Sequence, residues 1–163
     1  MRHVRTTTLI LALAACAASA AASGADPGWE KLKSLVGEWQ GTYEGKAATR
    51  VTYRLVSNGT ALMETLDAED SSQMITIYHP DGARLGMTHY CSQGNQPRMR
   101  SQGLRDGRLE FSFVDASNLG DAGGLVMTGL VLTFRDADHF AQDWTSRQGA
   151  REQVGHFELS RSK

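Results

Sequence analysis

Residues 88–99, THYCSQGNQPRM, place a histidine, a thiol and an arginine around a glycine-asparagine turn. His89 and Cys91 are two residues apart, so both side chains can lie on one face of a strand. Imidazole and thiolate groups bind zinc, but a zinc site needs at least three converging ligands, and no third accompanies this pair. We therefore interpret the stretch as a hairpin end, in which residues 93–95 form the turn and Pro97 begins the next strand.

The other residues whose side chains could take part in catalysis or metal binding form no catalytic signature. After removal of the N-terminal segment described below, the histidines are His79, His89, His139 and His156. Most of a strand, about 20 Å at ~3.3 Å per residue, separates His79 from His89, so these two cannot share an ion. The sequence has no G-x-S-x-G, H-E-x-x-H or C-x-x-C motif and no glycine-rich phosphate loop. These observations favour a non-enzymatic protein without a metal.

The first 25 residues have the pattern of a secretory signal peptide. Arg2 and Arg5 precede an apolar run at 9–15 that is too short to cross a membrane, and small residues suited to A-x-A cleavage follow. Residues 13–16, LAAC, also resemble a bacterial lipobox, in which Cys16 would carry a lipid. Both routes stay open. Each predicts an exported protein that is periplasmic, secreted or lipid-anchored to the bacterial envelope.

The mature chain is mildly acidic. Loss of Arg2 and Arg5 lowers the count of Lys and Arg from 17 to 15 against 18 Asp and Glu, a net charge of 15 − 18 = −3. This balance argues against nucleic acid as a partner and leaves a lipid at Cys16 as the predicted contact with a membrane. Cys91 then has no internal disulfide partner, and we expect it to be buried as a small apolar group. The sequence does not indicate an oligomeric state.

Residues 26–163 are predicted to form one all-β domain. In residues 26–36, Asp26 can cap a short N-terminal helix with Pro27 in its first turn and apolar residues at helical spacing. Beyond Gly37, turn signals recur about every dozen residues between alternating segments. About ten long strands joined by tight turns predict an up-and-down antiparallel β-barrel, because an open meander of that size exposes aggregation-prone edges.

Hairpin geometry assigns side chains to the barrel interior. A two-residue turn at Asn58-Gly59 places Tyr53 opposite Glu64 on a mostly apolar face. A buried phenol and carboxylate need partners or a ligand, unless Glu64 lies near a rim and reaches water.

The next two hairpins supply most of the predicted cavity wall. A three-residue loop at 80–82 turns His89 inward and Tyr78 outward, and the loop at 93–95 places Met99 beside His89. The predicted cavity lining is Tyr53, Glu64, Ile75, Ile77, Leu85, Met87, His89, Met99, Phe111 and Phe113. A filled core is the alternative for all of them.

Two segments resemble the calycin superfamily of lipocalins, fatty-acid-binding proteins and nitrobindins. Residues 32–39, LKSLVGEW, look like the G-x-W opening of its first strand, and residues 157–161, FELSR, look like its closing strand. The likeness is strongest to exported bacterial lipocalin-like domains of unknown function. It implies a barrel that holds one small ligand, with Arg161 stacked over Trp39 to close the floor.

The favoured function is an exported binder of a small hydrophobic molecule without a cofactor. The resemblance also implies a haem alternative, because nitrobindins carry a haem-ligating histidine in the last strand, where His156 stands. A two-residue turn at Gln148-Gly149 puts His156 outside with Asp143, whereas a three-residue loop turns it inward. A ligand-free structural or interaction module is the third alternative.

Overall fold

The computed structural model describes residues 26–68, 72–120 and 124–163. The predicted signal peptide and Cys16 lie outside the described residues. The elements, in chain order, are α1 (Pro27–Lys33), β1 (Gly37–Tyr43), β2 (Ala47–Val56), a 3₁₀ turn (Ser57–Gly59), β3 (Ala61–Ala68), β4 (Met74–Asp81), β5 (Arg84–Tyr90), β6 (Gln96–Arg105), β7 (Arg108–Ser117), β8 (Val126–Phe134), β9 (His139–Gln148) and β10 (Arg151–Arg161).

The ten strands form one closed antiparallel barrel. Each strand pairs with its neighbours along the chain, and β1 pairs with β10 to complete the ring. Closure gives every described strand two hydrogen-bonded partners, which removes the edges that an open meander would leave. The predicted up-and-down barrel with a short N-terminal helix is confirmed.

Helix α1 covers one end of the barrel. The Asp26 carboxylate caps it, because Oδ1 accepts hydrogen bonds from the backbone N–H groups of Gly28 at 2.7 Å and Trp29 at 3.0 Å. A Cβ on Gly28 would lie 3.0 Å from the side chains of Leu85 and Leu109, so the helix packs where β5 and β7 begin. In the described part of the chain, no helix has the length and apolar character that crossing a membrane requires.

The β2–β3 hairpin has the predicted register. Tyr53 lies opposite Glu64, and Val51 lies opposite Leu66. The connection is longer than predicted, with a 3₁₀ turn at Ser57–Gly59 between Val56 and Ala61. Both connections keep the same residues opposite each other, so the inward face is unchanged.

The prediction that Ile75 and Ile77 face the interior is wrong. Asp81 pairs with Arg84, so the turn is the two residues Gly82 and Ala83 rather than a three-residue loop at 80–82. Gly82 has φ +63°, a left-handed conformation that suits so tight a turn. The change in loop length inverts β4 and turns Ile75 and Ile77 outward, where they are half-buried.

The inversion brings two polar residues of β4 inside. Thr76 lies opposite His89, and Tyr78 lies opposite Met87. Both Thr76 and Tyr78 are buried. On the other side of β5, Met87 rather than His89 lies opposite Met99, a shift of two residues that leaves all three side chains facing inward.

Candidate ligand-binding site

A cavity of about 330 Å³ lies inside the barrel at the end opposite α1. It is bordered by the ends of β1, β3 and β5, by the starts of β2, β4 and β8, by the second half of β9 and by the middle of β10. Its lining residues are Tyr43, Ala47, Leu66, Ala68, Met74, His89, Ser92, Met127, Trp144, Ser146, Gly155 and Phe157. The wall is mainly apolar and aromatic, with a few polar groups, as is usual for sites that bind small molecules.

A buried polar cluster lies near the middle of the strands. The hydroxyl groups of Tyr53 and Tyr78 each donate to Oε2 of Glu64 at 2.7 Å. Gln142 Nε2 donates to the Tyr53 hydroxyl at 2.7 Å and to Glu64 Oε2 at 3.2 Å. Glu64 is 1% exposed, and the other three are fully buried. The cluster therefore links β2, β3, β4 and β9 across the interior.

Burial dominates the electrostatics of this cluster. Desolvation raises the pKa of Glu64, and the hydrogen bonds from Tyr78, Tyr53 and Gln142 act in the opposite direction. Desolvation and the neighbouring Glu64 hold the pKa values of Tyr53 and Tyr78 well above the ordinary phenol value. Both phenols therefore stay protonated and serve as donors. Glu64 Oε1 has no hydrogen-bond partner among the described residues.

Trp144 connects the polar cluster to the cavity. Its indole Nε1 donates to Gln142 Oε1 at 2.9 Å. Its ring centroid lies 4.6 Å from that of His89, and both rings line the cavity. A continuous path of contacts thus runs from Glu64 through Gln142 and Trp144 to the cavity wall.

His89 lines the cavity and has one ring nitrogen without a protein partner among the described residues. The residue is 3% exposed, and its Nδ1 is hydrogen-bonded to Thr76 Oγ1 at 2.9 Å. Nε2 is buried and has no partner among the described residues. Desolvation lowers the pKa of His89 to about 4, so the ring is neutral at neutral pH. When the Thr76 hydroxyl donates to Nδ1, Nε2 carries the ring proton and is a donor, and when the hydroxyl accepts from Nδ1–H, Nε2 is an acceptor.

The predicted cavity residues occupy different positions in the structure. His89 lines the cavity. Phe113 is half-buried near the cavity end, with the Arg147 guanidinium 5.9 Å from its ring centroid. Ile75 and Ile77 face outward, as described above. Residues buried in the barrel interior but outside the cavity lining are Tyr53, Glu64, Leu85, Met87, Met99 and Phe111.

The sequence interpretation missed Tyr78 and Gln142 as members of the polar cluster. The three-residue loop predicted at 80–82 puts Tyr78 on the outer face, whereas the two-residue turn of the structure puts it inside. A glutamine in a strand usually faces solvent, so its residue type alone does not predict that Gln142 is buried. A signal is present, however, since Gln142 stands two residues from both Phe140 and Trp144, and strand alternation puts all three side chains on one face.

The hairpin end at 88–99 is tied to the rest of the barrel. Cys91 is 8% exposed, its N–H donates to the carbonyl of Asn95 at 3.1 Å, and its carbonyl accepts from Gly94 N–H at 2.9 Å. Asn95 is also buried, and its Nδ2 donates to the Leu125 carbonyl at 2.8 Å. Arg98 forms an ion pair with Asp115 on the outer surface. The stretch is a structural turn, and His89 is its residue that could contact a ligand.

His156 lies on the outer face of the barrel. The β9–β10 turn is Gly149-Ala150, one residue later than predicted, and it places His156 opposite Asp143. Nδ1 lies 2.5 Å from Asp143 Oδ1, and Nε2 lies 2.9 Å from Glu158 Oε1. These hydrogen bonds, that of Asp143 first, raise the pKa of His156. Both ring nitrogens are engaged away from the interior, so this residue does not fit the role of a haem ligand inside the barrel.

Metal binding has no obvious location in the described ranges. Within residues 26–68, 72–120 and 124–163, no three His, Cys, Asp or Glu side chains are arranged to hold an ion.

Arg161 closes the end of the barrel that α1 covers. It pairs with Trp39 between β10 and β1, and its guanidinium carbon lies 4.2 Å from the Trp39 ring centroid. The same guanidinium donates to the carbonyls of Ser34 at 2.9 Å, Val36 at 3.0 Å and Ala137 at 3.2 Å. One side chain thus joins the residues that follow α1, the first strand and the β8–β9 turn, at the end opposite the cavity.

Comparison with known proteins shows a shared fold. No protein-family model matches the sequence, and no curated protein matches it. A protein of unknown function from the DUF3598 family of Nostoc punctiforme superposes with a TM-score of 0.58 at 14% identity, over 80% of this chain and 49% of that chain. Rv2717c from M. tuberculosis gives a TM-score of 0.56 at 16% identity, over 84% of this chain and 98% of that chain.

These similarities concern architecture. The chain spans about half the length of the Nostoc protein and almost all of Rv2717c. At such low identity the likeness shows the barrel fold alone, and the chemistry must come from the residues of this chain.

Proposed function

We propose that this protein is an exported, non-enzymatic binder of a small, largely apolar molecule, which occupies the cavity and hydrogen-bonds to His89. The observation that carries the proposal is His89, which lines the cavity and whose buried Nε2 has no partner among the described residues. A buried polar atom without a partner costs about 1–3 kcal/mol, and a ligand that bonds to it recovers that cost. The proposal places the chain with the calycin-like carriers that it resembles.

The wall supports an apolar ligand body. Leu66, Met74, Met127, Trp144 and Phe157 supply aliphatic, thioether and aromatic surface around the imidazole. A volume of about 330 Å³ is near the lower limit of ~300 Å³ for small-molecule sites, which favours a compact ligand. This cavity supports a binder over a ligand-free module whose barrel is packed throughout.

Dye binding tests the proposal directly. Prodan is an uncharged naphthalene dye with one carbonyl acceptor, and its fluorescence rises in apolar surroundings. We expect saturable binding to the mature protein, weakened about tenfold by His89→Ala because a hydrogen bond of about 1.4 kcal/mol is lost. His79→Ala is the matched control, since His79 is an exposed histidine on the neighbouring strand β4. Equal dye affinity in folded His89→Ala and wild type would contradict the assignment.

Filling the cavity provides a second, independent test. Ala68→Phe adds a ring at the lining and should abolish dye binding, while Val114→Phe adds the same bulk at a site that is 53% exposed. Native mass spectrometry of the protein as purified should show a bound small molecule that is absent from Ala68→Phe. Retained dye binding in a folded Ala68→Phe variant would place the ligand elsewhere.

Export is part of the proposal and has its own measurement. The intact mass of protein from an exporting bacterial host should correspond to a lipidated Cys16 or to an N-terminus between Ala21 and Asp26. A lipid at Cys16 would hold the binder at the envelope membrane, whereas cleavage after it would release the protein. A chain that retains Met1 would contradict both routes.

A further inference from the structure

We infer that the ligand is an uncharged amphiphile, with an apolar body and a single hydroxyl or carbonyl group, and that the cavity discriminates against fatty-acid-like carboxylates. This inference rests on the proposed function, because it specifies which molecules the same cavity accepts.

The first argument is the absence of a cation at the wall. Among the described residues that line the cavity, none is Lys or Arg. The two internal segments outside the described residues, 69–71 and 121–123, contain no Lys or Arg in their sequences. Lys46, Arg147 and Arg151 lie near the same end of the barrel, but all three are exposed and none lines the cavity. A carboxylate inside would therefore lack a counter-charge.

The second argument is the state of His89. Its ring lies among apolar groups and against Trp144, and burial keeps it neutral, so it offers one hydrogen bond but no positive charge. A neutral imidazole suits a hydroxyl or carbonyl group, since Nε2 can act as a donor or an acceptor. An ionised carboxylate would lose its hydration and gain a single hydrogen bond in return.

The third argument is the acid already present in the interior. Glu64 is connected to the cavity wall through Gln142 and Trp144, and its cluster contains only neutral donors. A ligand carboxylate would be a second acid group in the interior. No described residue of the Glu64 cluster has a basic side chain that could balance it. Burial raises the pKa of Glu64, and the same loss of hydration would act on a ligand carboxylate in this interior, which further disfavours the anion.

A matched pair of ligands tests the inference. 1-Decanol and decanoate have the same chain and differ in the charge of the head group at neutral pH. Each would compete with Prodan on the wild-type protein, below the concentration at which it aggregates. We expect decanol to displace the dye at least about tenfold more effectively than decanoate, since the unpaired buried charge costs more than 1.4 kcal/mol.

A charge placed in the wall should reverse the preference. Met74→Lys puts an ammonium group at the lining and should raise the affinity for decanoate relative to decanol. Gln73→Lys adds the same charge one residue away, at an exposed position, and should leave the ratio unchanged. A circular dichroism spectrum that matches wild type establishes that Met74→Lys is folded. The ratio of its affinities for decanoate and decanol is then compared with that of wild type.

The outcomes separate the two proposals. Prodan binding with decanoate as effective as decanol would overturn the uncharged-ligand inference and leave the proposed function standing. Prodan binding with no displacement by decanol would overturn the inference as well, and so would an unchanged ratio in folded Met74→Lys. If neither Prodan nor decanol binds to the wild type, the proposed function itself fails.

Discussion

At the scale of single residues, the carboxylate of Glu64 depends on its neighbours. Three donors converge on Oε2, while Oε1 has no partner among the described residues. A buried acid of this kind is tolerated only while its donors are in place, because removing one leaves charge or polarity uncompensated in a low-dielectric interior. The two tyrosines therefore contribute more to stability than their apolar area alone would suggest.

We predict that Tyr53→Phe and Tyr78→Phe each lower the free energy of unfolding by about 1–3 kcal/mol, because each deletes a donor to Glu64. Tyr90→Phe is the matched control: Tyr90 is 50% exposed, so its effect should stay within about 0.5 kcal/mol. Urea unfolding followed by fluorescence measures all three. If Tyr53→Phe had the same unfolding free energy as wild type, the Tyr53 hydroxyl would contribute nothing to stability and the side chain would act only through its packing.

His89 should make stability depend on pH. Its pKa is lowered from 6.5 in the unfolded chain to about 4 in the folded protein, so the unfolded chain binds the proton first as the pH falls. The stabilisation that comes from keeping His89 neutral is fully present above pH 6.5 and is lost as the pH falls towards 4. The difference of 6.5 − 4 = 2.5 in pKa corresponds to a loss of about 3 kcal/mol in the free energy of unfolding.

The measurement compares wild type with His89→Gln, which cannot bind the proton. Unfolding free energies across the window from 6.5 down to about 4 should fall more steeply in wild type than in the variant. Shared contributions from Glu64 and the outer His156 cancel in the comparison. His79→Gln, at an exposed position, should follow the wild-type slope. Parallel curves for wild type and His89→Gln would mean that the ring is not desolvated.

At the scale of strands and turns, alternation and turn chemistry were enough to predict the barrel, and loop length limited the prediction of the site. The β2–β3 hairpin kept its predicted register because either connection leaves Val56 opposite Ala61. The β4–β5 hairpin did not, since a turn shorter by one residue exchanges the two faces of β4. The sequence around Pro80 and Gly82 is compatible with both loop lengths.

The cavity itself depends on packing that alternation does not specify. Alternation shows that Met99 and Phe111 face inward, but both fill the core rather than line the cavity. The empty volume arises at one end, where small residues such as Ala47 and Ala68 stand among larger ones. Which inward positions remain unfilled is decided by side chains from several strands together, so a single strand's pattern cannot predict it.

The turn after β5 offers a prediction at this scale. Cys91 is 8% exposed and is held by backbone hydrogen bonds to Asn95, whose side chain donates to the Leu125 carbonyl. An aqueous thiol reagent should therefore modify Cys91 slowly in the native protein and quickly in denaturant.

Asn95→Ala removes the side-chain anchor, costs about 1–3 kcal/mol and should accelerate native labelling of Cys91. Gln93→Ala changes an exposed residue of the same turn and should leave the rate unchanged. Fast labelling of the wild type would show that the thiol is accessible and that the turn opens readily.

At the scale of the whole molecule, the two ends of the barrel have different roles. Helix α1, Trp39 and Arg161 close one end, while the cavity lies at the other, with the Glu64 cluster near the middle of the strands between them. Closure is a long-range event, because β1 and β10 come from opposite ends of the domain. Stability and ligand binding should therefore be separable by mutations at the closed end.

Arg161→Lys tests this separation. Lysine keeps the positive charge but not the planar guanidinium that stacks on Trp39 and reaches the carbonyls of Ser34, Val36 and Ala137. We expect the unfolding free energy to fall by about 1–3 kcal/mol. Arg151→Lys, an exposed position at the other end of β10, should stay within about 0.5 kcal/mol of wild type.

Below its unfolding transition, Arg161→Lys should bind Prodan with the wild-type affinity, because the cavity shares no lining residue with the closed end. Dye titration at low temperature and urea unfolding of the same preparations measure the two properties separately. Loss of dye affinity in the folded variant would mean that closure of the barrel shapes the cavity at its far end. Unchanged stability would mean that the backbone pairing of β1 with β10 is sufficient to hold the ring closed.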